Sequence, residues 1–439
     1  MKFSKYNLIL NADEKDEYIL FNTLTGNCFK IDEDSKNILE ENRIDSLDEE
    51  RLKIYIEKKI VLDENIDEIK WIEYIHNKHK FNSKVFSITV LLTWACNLKC
   101  VYCYEGAGEV RSTNMNDDTT NSTIEFIKKQ VKNSNAEYVS INLFGGEPLV
   151  NIKAGKKILE EIDEFCKKEN KILVTSIITN GTLIDQNTIE ILEKYNCQSV
   201  QITLDGLKHI HDQRRMYKSG QGSFEDVING IRRIQQAKGI PNPVIRINVD
   251  KTNTSDVKEL LKYLNKEKLS DCRIDFGIVR AGTESCAAYS SNCYSEEELG
   301  ELLEDLWGEA RKNGFNIDTK PRRKFLFCGL NGDNSYTIAP TGDVYKCWEQ
   351  VGMEEHIIGK LSNSGRIDDV RFAFYDWMSK NPLDISDCRD CVYLPVCGGG
   401  CGAISYEQTG SYHAKGCFKT KGIIEKQIIL TYKNKSYGA

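Results

Sequence analysis

From Val85 onward the chain alternates short apolar segments with helical ones six times, and this alternation limits the fold more than any other feature. FSITVLLTW, YVSINLF, ILVTSIITN, SVQITLDG, VIRINVDK and CRIDFGIV read as strands. Helical periodicity follows each, over 118–133, 152–169, 186–195, 224–236, 255–265 and 296–312. Strand and helix in strict alternation imply a parallel sheet built through right-handed crossovers. Six repeats predict an α/β fold with a partial (β/α)6 barrel.

The two ends of the chain follow other rules. In residues 1–83, YNLILNA and YILFNTLTGNCFKID read as short strands joined by an acidic turn and a Thr-Gly-Asn turn. Polar helices are predicted over 34–41, 47–58 and 66–79, giving a unit of three strands and three helices. From Phe325 helical periodicity fades and seven cysteines stand among glycines and turns. That segment is too poor in apolar residues to pack alone, so metal is expected to organise it. The expected domains are 1–83, 84–315 and 316–439.

A net charge of -7 over 439 residues argues against general affinity for nucleic acid or for anionic membrane, both of which need clustered basic charge. No apolar run reaches the roughly 18 residues of a membrane span, and the N-terminus carries acidic residues where a signal peptide needs an apolar stretch. A cytoplasmic protein is expected. In a reducing compartment, 16 cysteines point to ligands or reactive thiols before disulfides. Cys28, Cys166, Cys197 and Cys272 fall on predicted strands or helices and read as buried free thiols.

Cys96, Cys100 and Cys103 form a Cys-x3-Cys-x2-Cys loop directly after the first barrel strand, at the carboxyl end of that strand, where such folds build active sites. Three thiolates leave one iron of a 4Fe-4S cluster without a protein ligand. The second strand ends in Gly145-Gly146-Glu147-Pro148, where glycines allow close backbone approach and a carboxylate can accept from an ammonium. Together these resemble the radical S-adenosylmethionine (radical SAM) superfamily. The resemblance implies that the open iron chelates SAM and that an electron from the cluster yields a 5′-deoxyadenosyl radical that takes hydrogen from the substrate. It places Tyr102 beside the adenine, and Gly145, Gly146 and Glu147 at the amino group. Ser176 and Arg215, with Arg214 as the adjacent alternative, fall to the carboxylate or ribose. Asn180, Thr203 and Asp205 sit at strand ends facing the same mouth, and Asp205, Glu105 and Asp275 are candidate bases whose structural roles weigh more. His209 and His211 read as surface helix residues.

The tail reads Cys328-x13-Gly-x4-Cys347, then Cys388-x2-Cys391-x5-Cys397-x3-Cys401, and finally Cys417. This is similar to the SPASM extension of radical SAM enzymes that modify peptides and proteins. By that resemblance Cys388, Cys391, Cys397 and Cys417 hold one auxiliary 4Fe-4S cluster, and Cys328, Cys347 and Cys401 hold a second with one position open, for three clusters in all. The open iron would take a substrate thiolate, or be closed by water, Asn334, Cys286 or Cys293. Tetrahedral zinc is the competing reading of the tail.

The N-terminal unit resembles, in pattern only, the winged-helix-like element with which ribosomal-peptide maturases capture a leader peptide as an added strand. Here the strand would be 27–31 and the helix 66–77, with Trp71 and Tyr74 on one side. A stabilising cap without ligand is the alternative. The resemblance as a whole implies a maturase of a ribosomally made precursor peptide. It would form intramolecular thioether links with loss of two hydrogens each, the auxiliary cluster accepting the second electron. The partners would be that peptide and a flavodoxin or ferredoxin. The alternatives are a carbon–carbon crosslinking maturase, a sulfatase formylglycine-generating enzyme, and a non-catalytic iron–sulfur peptide-binding protein. The sulfatase type is weakened because its extra cysteine is Asn334 here, and its aspartate base is Trp348, with Glu349 next.

Overall fold

The computed structural model describes residues 1–12, 17–106 and 109–432. In the N-terminal unit β1 (Lys2–Phe3) pairs with β5 (Val61–Leu62), while β2 (Asn7–Asn11), β3 (Glu17–Asn22) and β4 (Cys28–Asp32) form an antiparallel sheet in that order. The β1–β5 ladder was not foreseen, and the acidic turn expected between the first two strands of the sheet lies outside the described residues. Helices α1 (Glu33–Glu40), α2 (Glu49–Glu57) and α3 (Glu68–Lys80) are capped by Asp32, Asp48 and Asp67, whose carboxylates accept from first-turn amides.

The alternation after Val85 folds as its periodicity dictates. The strands are β6 (Val85–Leu91), β8 (Tyr138–Phe144), β9 (Ile172–Thr179), β10 (Cys197–Thr203), β12 (Val244–Val249) and β13 (Arg273–Ile278), each paired in parallel with the next. A short antiparallel ladder joins β7 (Leu98–Cys100) to β11 (Arg215–Tyr217). The helices are α4 (Asp117–Ser134), α5 (Ile152–Lys168), α6 (Gln186–Lys194), α7 (Lys208–Arg214), α8 (Phe224–Gln236), α9 (Thr254–Lys266) and α10 (Leu299–Lys312). Residues alternate along β8 and β9, one face fully buried and the other half-buried. The buried face packs Ile141, Leu143 and Ile177 on Ile127, Ile158 and Leu159 of α4 and α5. The half-buried face lines the barrel interior. This is an α/β fold with a large, mostly parallel sheet, as a partial barrel requires.

The tail does not stand apart from that sheet. Its β14 (Ser335–Ile338) pairs in parallel with the free edge of β6, and β15 (Asp343–Tyr345), β16 (Gly359–Leu361) and β17 (Ile367–Asp368) extend it antiparallel to ten strands. Beyond come α11 (Phe372–Ser379), the short α12 (Ser386–Arg389) and α13 (Leu394–Cys397), then α14 (Gly402–Thr409) and α15 (Ile423–Tyr432). Ile424, Ile428 and Tyr432 of α15 bury against Ile19 and Phe21 of β3. The same helix packs on α10, with Lys426 2.6 Å from Glu304. So the last described helix clamps the N-terminal sheet to the barrel.

Candidate active site

The cysteine loop is held from below by the Gly145-Gly146 backbone. Gly146 N–H donates to Thr93 O at 2.9 Å and Glu147 N–H to Ala95 O at 2.9 Å. A Cβ on Gly146 would meet Trp94 O at 2.5 Å and Ala95 O at 2.6 Å, and Gly145 adopts φ +138°. The segment that precedes Cys96 is thus shaped by two residues without side chains. Glu147, fully buried, accepts from Thr179 Oγ1 (2.7 Å), Asn180 N (2.7 Å) and Leu149 N (3.0 Å). Burial pushes its pKa up, against these hydrogen bonds, and its charge acts on Cys96. A carboxylate has about four acceptor sites, so Glu147 retains room for one further donor.

Cys96, Cys100 and Cys103 are half-buried thiols. Burial pushes Cys96 up to about 12, while Leu98 N–H (3.4 Å) and Asn180 Nδ2 (3.9 Å) approach its sulfur. Arg215 stands opposite Cys100 in the β7–β11 ladder. Burial raises Cys100 as well, but the Arg215 charge opposes that shift and favours thiolate. Tyr102 turns into the barrel, where its hydroxyl donates to Asp205 and accepts from Arg215 Nη1 (2.8 Å) and Asn248 Nδ2 (3.1 Å). Ser176 on β9 donates to Asn142 at 2.9 Å.

The two arginines divide their tasks. Both arginines keep a buried Nε without a hydrogen bond. Arg214 Nε lies 3.6 Å from Asp205 Oδ2 and its other nitrogens are committed to Asp250, Thr252, Tyr289 and the Asn248 carbonyl, whereas the Arg215 guanidinium is bonded, among the described residues, only to Tyr102 through Nη1. Arg215 is therefore the better placed to receive an anionic ligand. Asp205 is spent on Tyr102 and Asn248 N–H, and Asp275 on Arg246. His211 corrects its expected exposure: it is fully buried, with Nδ1 facing Asp205 N–H at 3.2 Å and Nε2 3.1 Å from Ser223 Oγ. His209 is on the surface, as expected.

In the tail, Cys388, Cys391, Cys397 and Cys417 line one cavity of about 320 Å³ with Lys415 and Lys421 at its rim. Burial pushes Cys388 up to about 11, and the thiols raise one another further. The charges of Lys380 on Cys388 and of Lys421 on Cys417 offset part of that cost. Cys328, Cys347 and Cys401 form a second group. Burial raises all three, Cys328 to about 11, and the charge of Glu349 adds to each. Gly398, Gly399 and Gly400 all have positive φ, 74°, 93° and 75°, in the turn that sends Cys397 to one group and Cys401 to the other. Buried Lys380 lies within the electrostatic reach of Cys401, Cys388, Cys397 and Cys328. Among the described residues no three of His, Cys, Asp or Glu converge on a single metal ion. The thiols that line one cavity could hold a metal cluster.

Asn334 does not face the second group, since its amide donates to Val85 O (3.1 Å) and Ser134 Oγ (3.2 Å). Cys286 is held by Thr283 and Arg280 O, and Cys293 by Tyr289 O, in the segment before α10. Cys166, Cys197 and Cys272 are buried, and Cys28 half-buried. Tyr104 links the two regions. Burial raises its pKa strongly, and Glu105, Glu349, Cys103 and Cys347 all act on it. Glu349 pairs with Arg280 at 3.3 Å. The adjacent Glu105 has both carboxylate oxygens shut away from solvent without a hydrogen-bond partner, and burial pushes it up to about 7.

The cysteine loop after the first barrel strand, the Gly-Gly-Glu brace and the cysteine-rich tail on one sheet are the features that the radical SAM resemblance leads one to expect. Residues 90–264 match the Radical SAM superfamily model, so the chain carries a radical SAM domain and is an enzyme of that kind. It is 27% identical over 333 residues to the cysteine-type anaerobic sulfatase-maturating enzyme of Clostridium novyi, covering 70% of this chain and 84% of that one. Among solved structures, native anSMEcpe with bound AdoMet aligns at TM-score 0.60 and 19% identity, covering 80% of this chain and 100% of the other. Streptococcus suis SuiB bound to precursor peptide SuiA aligns at TM-score 0.54 and 18% identity over 96% of this chain and 99% of that one. At those identities the structures bear on the fold. No helix among the described residues is long and apolar enough to cross a membrane.

Proposed function

We propose that the chain is a maturase of a ribosomally made precursor peptide, joining cysteine sulfur to carbon within that peptide. The observation that carries this reading is the join between the catalytic loop region and the Cys347 segment, where Arg111 donates to Val351 O and Gly352 O and the Phe144 and Trp348 rings lie 6.2 Å apart. A substrate held there would meet the catalytic loop on one side and the three-thiol group on the other. In this reading Cys96, Cys100 and Cys103 hold the SAM-binding 4Fe-4S cluster, Cys388, Cys391, Cys397 and Cys417 one auxiliary cluster, and Cys328, Cys347 and Cys401 a second. Reduced cluster and SAM, when bound, supply a carbon radical able to remove hydrogen from the substrate.

The chain's own residues prepare that chemistry. Arg215 offers its unpartnered Nε to the SAM carboxylate, Glu147 its remaining acceptor site to the amino group, and Tyr102 a ring beside the adenine. Ser176 completes that wall. Only three cysteines belong to the second tail group, which leaves a position for a substrate thiolate. Binding there would lower the thiol pKa and hold sulfur beside the reacting carbon.

The division 1–83, 84–315 and 316–439 assigns leader recognition to the first unit. Its β4 pairs only with β3 in the described sheet, so its outer edge is open to an added strand. Tyr74 on α3 is 66% exposed, while Trp71 packs with Leu383 and Leu394 of the tail. A flavodoxin or ferredoxin would deliver the electron, in the cytoplasm.

SuiB is bound to its precursor peptide SuiA and the Clostridium novyi relative is a sulfatase-maturating enzyme, which supports a peptide or protein substrate for this chain. Formylglycine formation is disfavoured by Trp348 in the aspartate position and by Asn334 facing away. The deciding test is mass spectrometry of the peptide encoded beside the gene after anaerobic incubation with enzyme, SAM and reductant, followed by thiol alkylation. Loss of two hydrogens per link with matching loss of alkylatable cysteine is expected. Two-hydrogen losses with every thiol still reactive would establish carbon–carbon crosslinking instead.

A further inference from the structure

We propose that Glu105 is a substrate-positioning residue whose carboxylate accepts N–H donors from the peptide bound between the catalytic loop and the Cys347 segment. The inference deepens the maturase reading and rests on it.

Glu105 differs from every other acid of this region. Glu147, Asp205, Asp250 and Asp275 each have protein donors, whereas both oxygens of Glu105 are enclosed without a well-formed hydrogen bond, the adjacent Tyr104 hydroxyl being the one side-chain donor near them among the described residues. An enclosed carboxylate with two oxygens and no donor beyond one neighbouring hydroxyl is costly, and proteins seldom retain one. The cations in reach are already used. Arg111 donates to Val351 O and Gly352 O and lies 5.6 Å from the Trp94 ring, and Arg280 is shared by Glu349 and Glu407. The missing donors therefore come with a ligand.

Direction selects the ligand. Tyr102 turns toward β10 and β12 through Asp205 and Asn248, the side on which SAM is placed. Glu105 stands on the other side: Arg111, which acts on it, is anchored to Val351 and Gly352, and the charges of Glu349 and Cys347 act on its neighbour Tyr104. A peptide crossing that wall brings successive amide N–H groups, and two acceptor oxygens suit a pair of them. A carboxylate at this point fixes which segment of the chain lies beside Cys103.

The test uses reconstituted holoenzyme and two probes, SAM alone and the precursor peptide encoded beside the gene. Glu105→Gln is expected to raise the peptide KM about tenfold, as loss of a charge-assisted hydrogen bond does, with a smaller effect on kcat. SAM affinity and iron content should be unchanged. The Tm of the peptide-free enzyme should rise, because an amide is cheaper to enclose than a carboxylate. Glu105→Asp should fall between wild type and Glu105→Gln. An unchanged peptide KM, a fall in Tm, or a loss of SAM affinity in parallel with peptide affinity would each overturn the inference while leaving the maturase reading intact. A wild-type enzyme that neither binds nor alters the peptide overturns the maturase reading, and the assignment of Glu105 falls with it.

Discussion

Arg214 Nη1 lies 2.7 Å from Asp250 Oδ2 with both side chains almost fully buried, and this pair holds the Tyr102 ring beneath the guanidinium, 5.0 Å from centroid to Cζ. Removing the acid leaves a buried cation that retains only neutral acceptors, Thr252, Tyr289 and a carbonyl, beside a more distant Asp205. Asp250→Ala should therefore destabilise the barrel by about 3–5 kcal/mol, the usual cost of breaking a buried pair from one side. Chemical denaturation of the variant checks this, and a change below about 1 kcal/mol would show that the arginine finds another partner.

The Gly146 backbone makes a second, steric prediction. A methyl group there would press on Trp94 O and Ala95 O, which are backbone atoms of the segment leading into Cys96 and cannot swing aside. Gly146→Ala should cost about 1–3 kcal/mol in stability and weaken SAM binding measured anaerobically, because the loop is displaced where the ligand enters. Gly220→Ala serves as a control: nothing stands within 4 Å of its Cβ, so only the strain of φ +86° is felt.

The parallel sheet was legible because strand and helix periods differ and alternate cleanly from Val85 to Lys312. What escaped the sequence depended on partners far along the chain. Ser335–Ile338 is four residues long, and only the free edge of β6 makes it a sheet strand. Helix α15 reads IIEKQIILTY, apolar on more than one side because it packs on β3 and α10 together, so no single stripe announces it. At the site, cysteine spacing proposes two tail groups, and Cys388, Cys391, Cys397 and Cys417 of one group line a common cavity. The division of labour between Arg214 and Arg215 was not readable, since α7 ends at one and β11 begins at the other, turning adjacent side chains apart. The burial of His211 was hidden for a related reason: a seven-residue helix is too short for its periodicity to separate inner from outer face.

Three buried histidines predict acid sensitivity. Burial pushes His76, His211 and His356 below the ordinary histidine pKa, and for His211 the charges of Arg215, Arg214 and Lys208 add to the shift. The folded chain thus keeps them neutral while the unfolded chain takes up protons below about pH 6.5. With more protons bound in the unfolded state, stability is unaffected above about 6.5 and falls as pH drops below it, by up to about 1.4 kcal/mol per unit for each histidine. Denaturation midpoints at pH 7.5 and 5.5 should differ accordingly, and His211→Asn should flatten the profile. An identical profile in that variant would remove His211 from the account.

Substitution of single cysteines separates the catalytic loop from the tail. Cys100→Ala removes one of three proposed anchors and the residue opposite Arg215 in the β7–β11 ladder, so SAM cleavage should vanish. Iron should fall by about four from the ~12 per chain that three 4Fe-4S clusters require. Cys397→Ala acts elsewhere. Cys397 closes α13 and leads into the turn of three left-handed glycines that delivers Cys401 to the other thiol group. Losing its thiolate opens the tail cavity without touching the barrel, so some SAM cleavage should persist while crosslinked product nearly disappears. If product formation were undiminished, the tail cavity would be dispensable for the reaction. If SAM cleavage were lost with it, the two thiol groups would be coupled to the catalytic loop through the fold, and Gly400→Ala, whose Cβ would meet Gly416 O at 2.6 Å, should reproduce that loss with all cysteines in place.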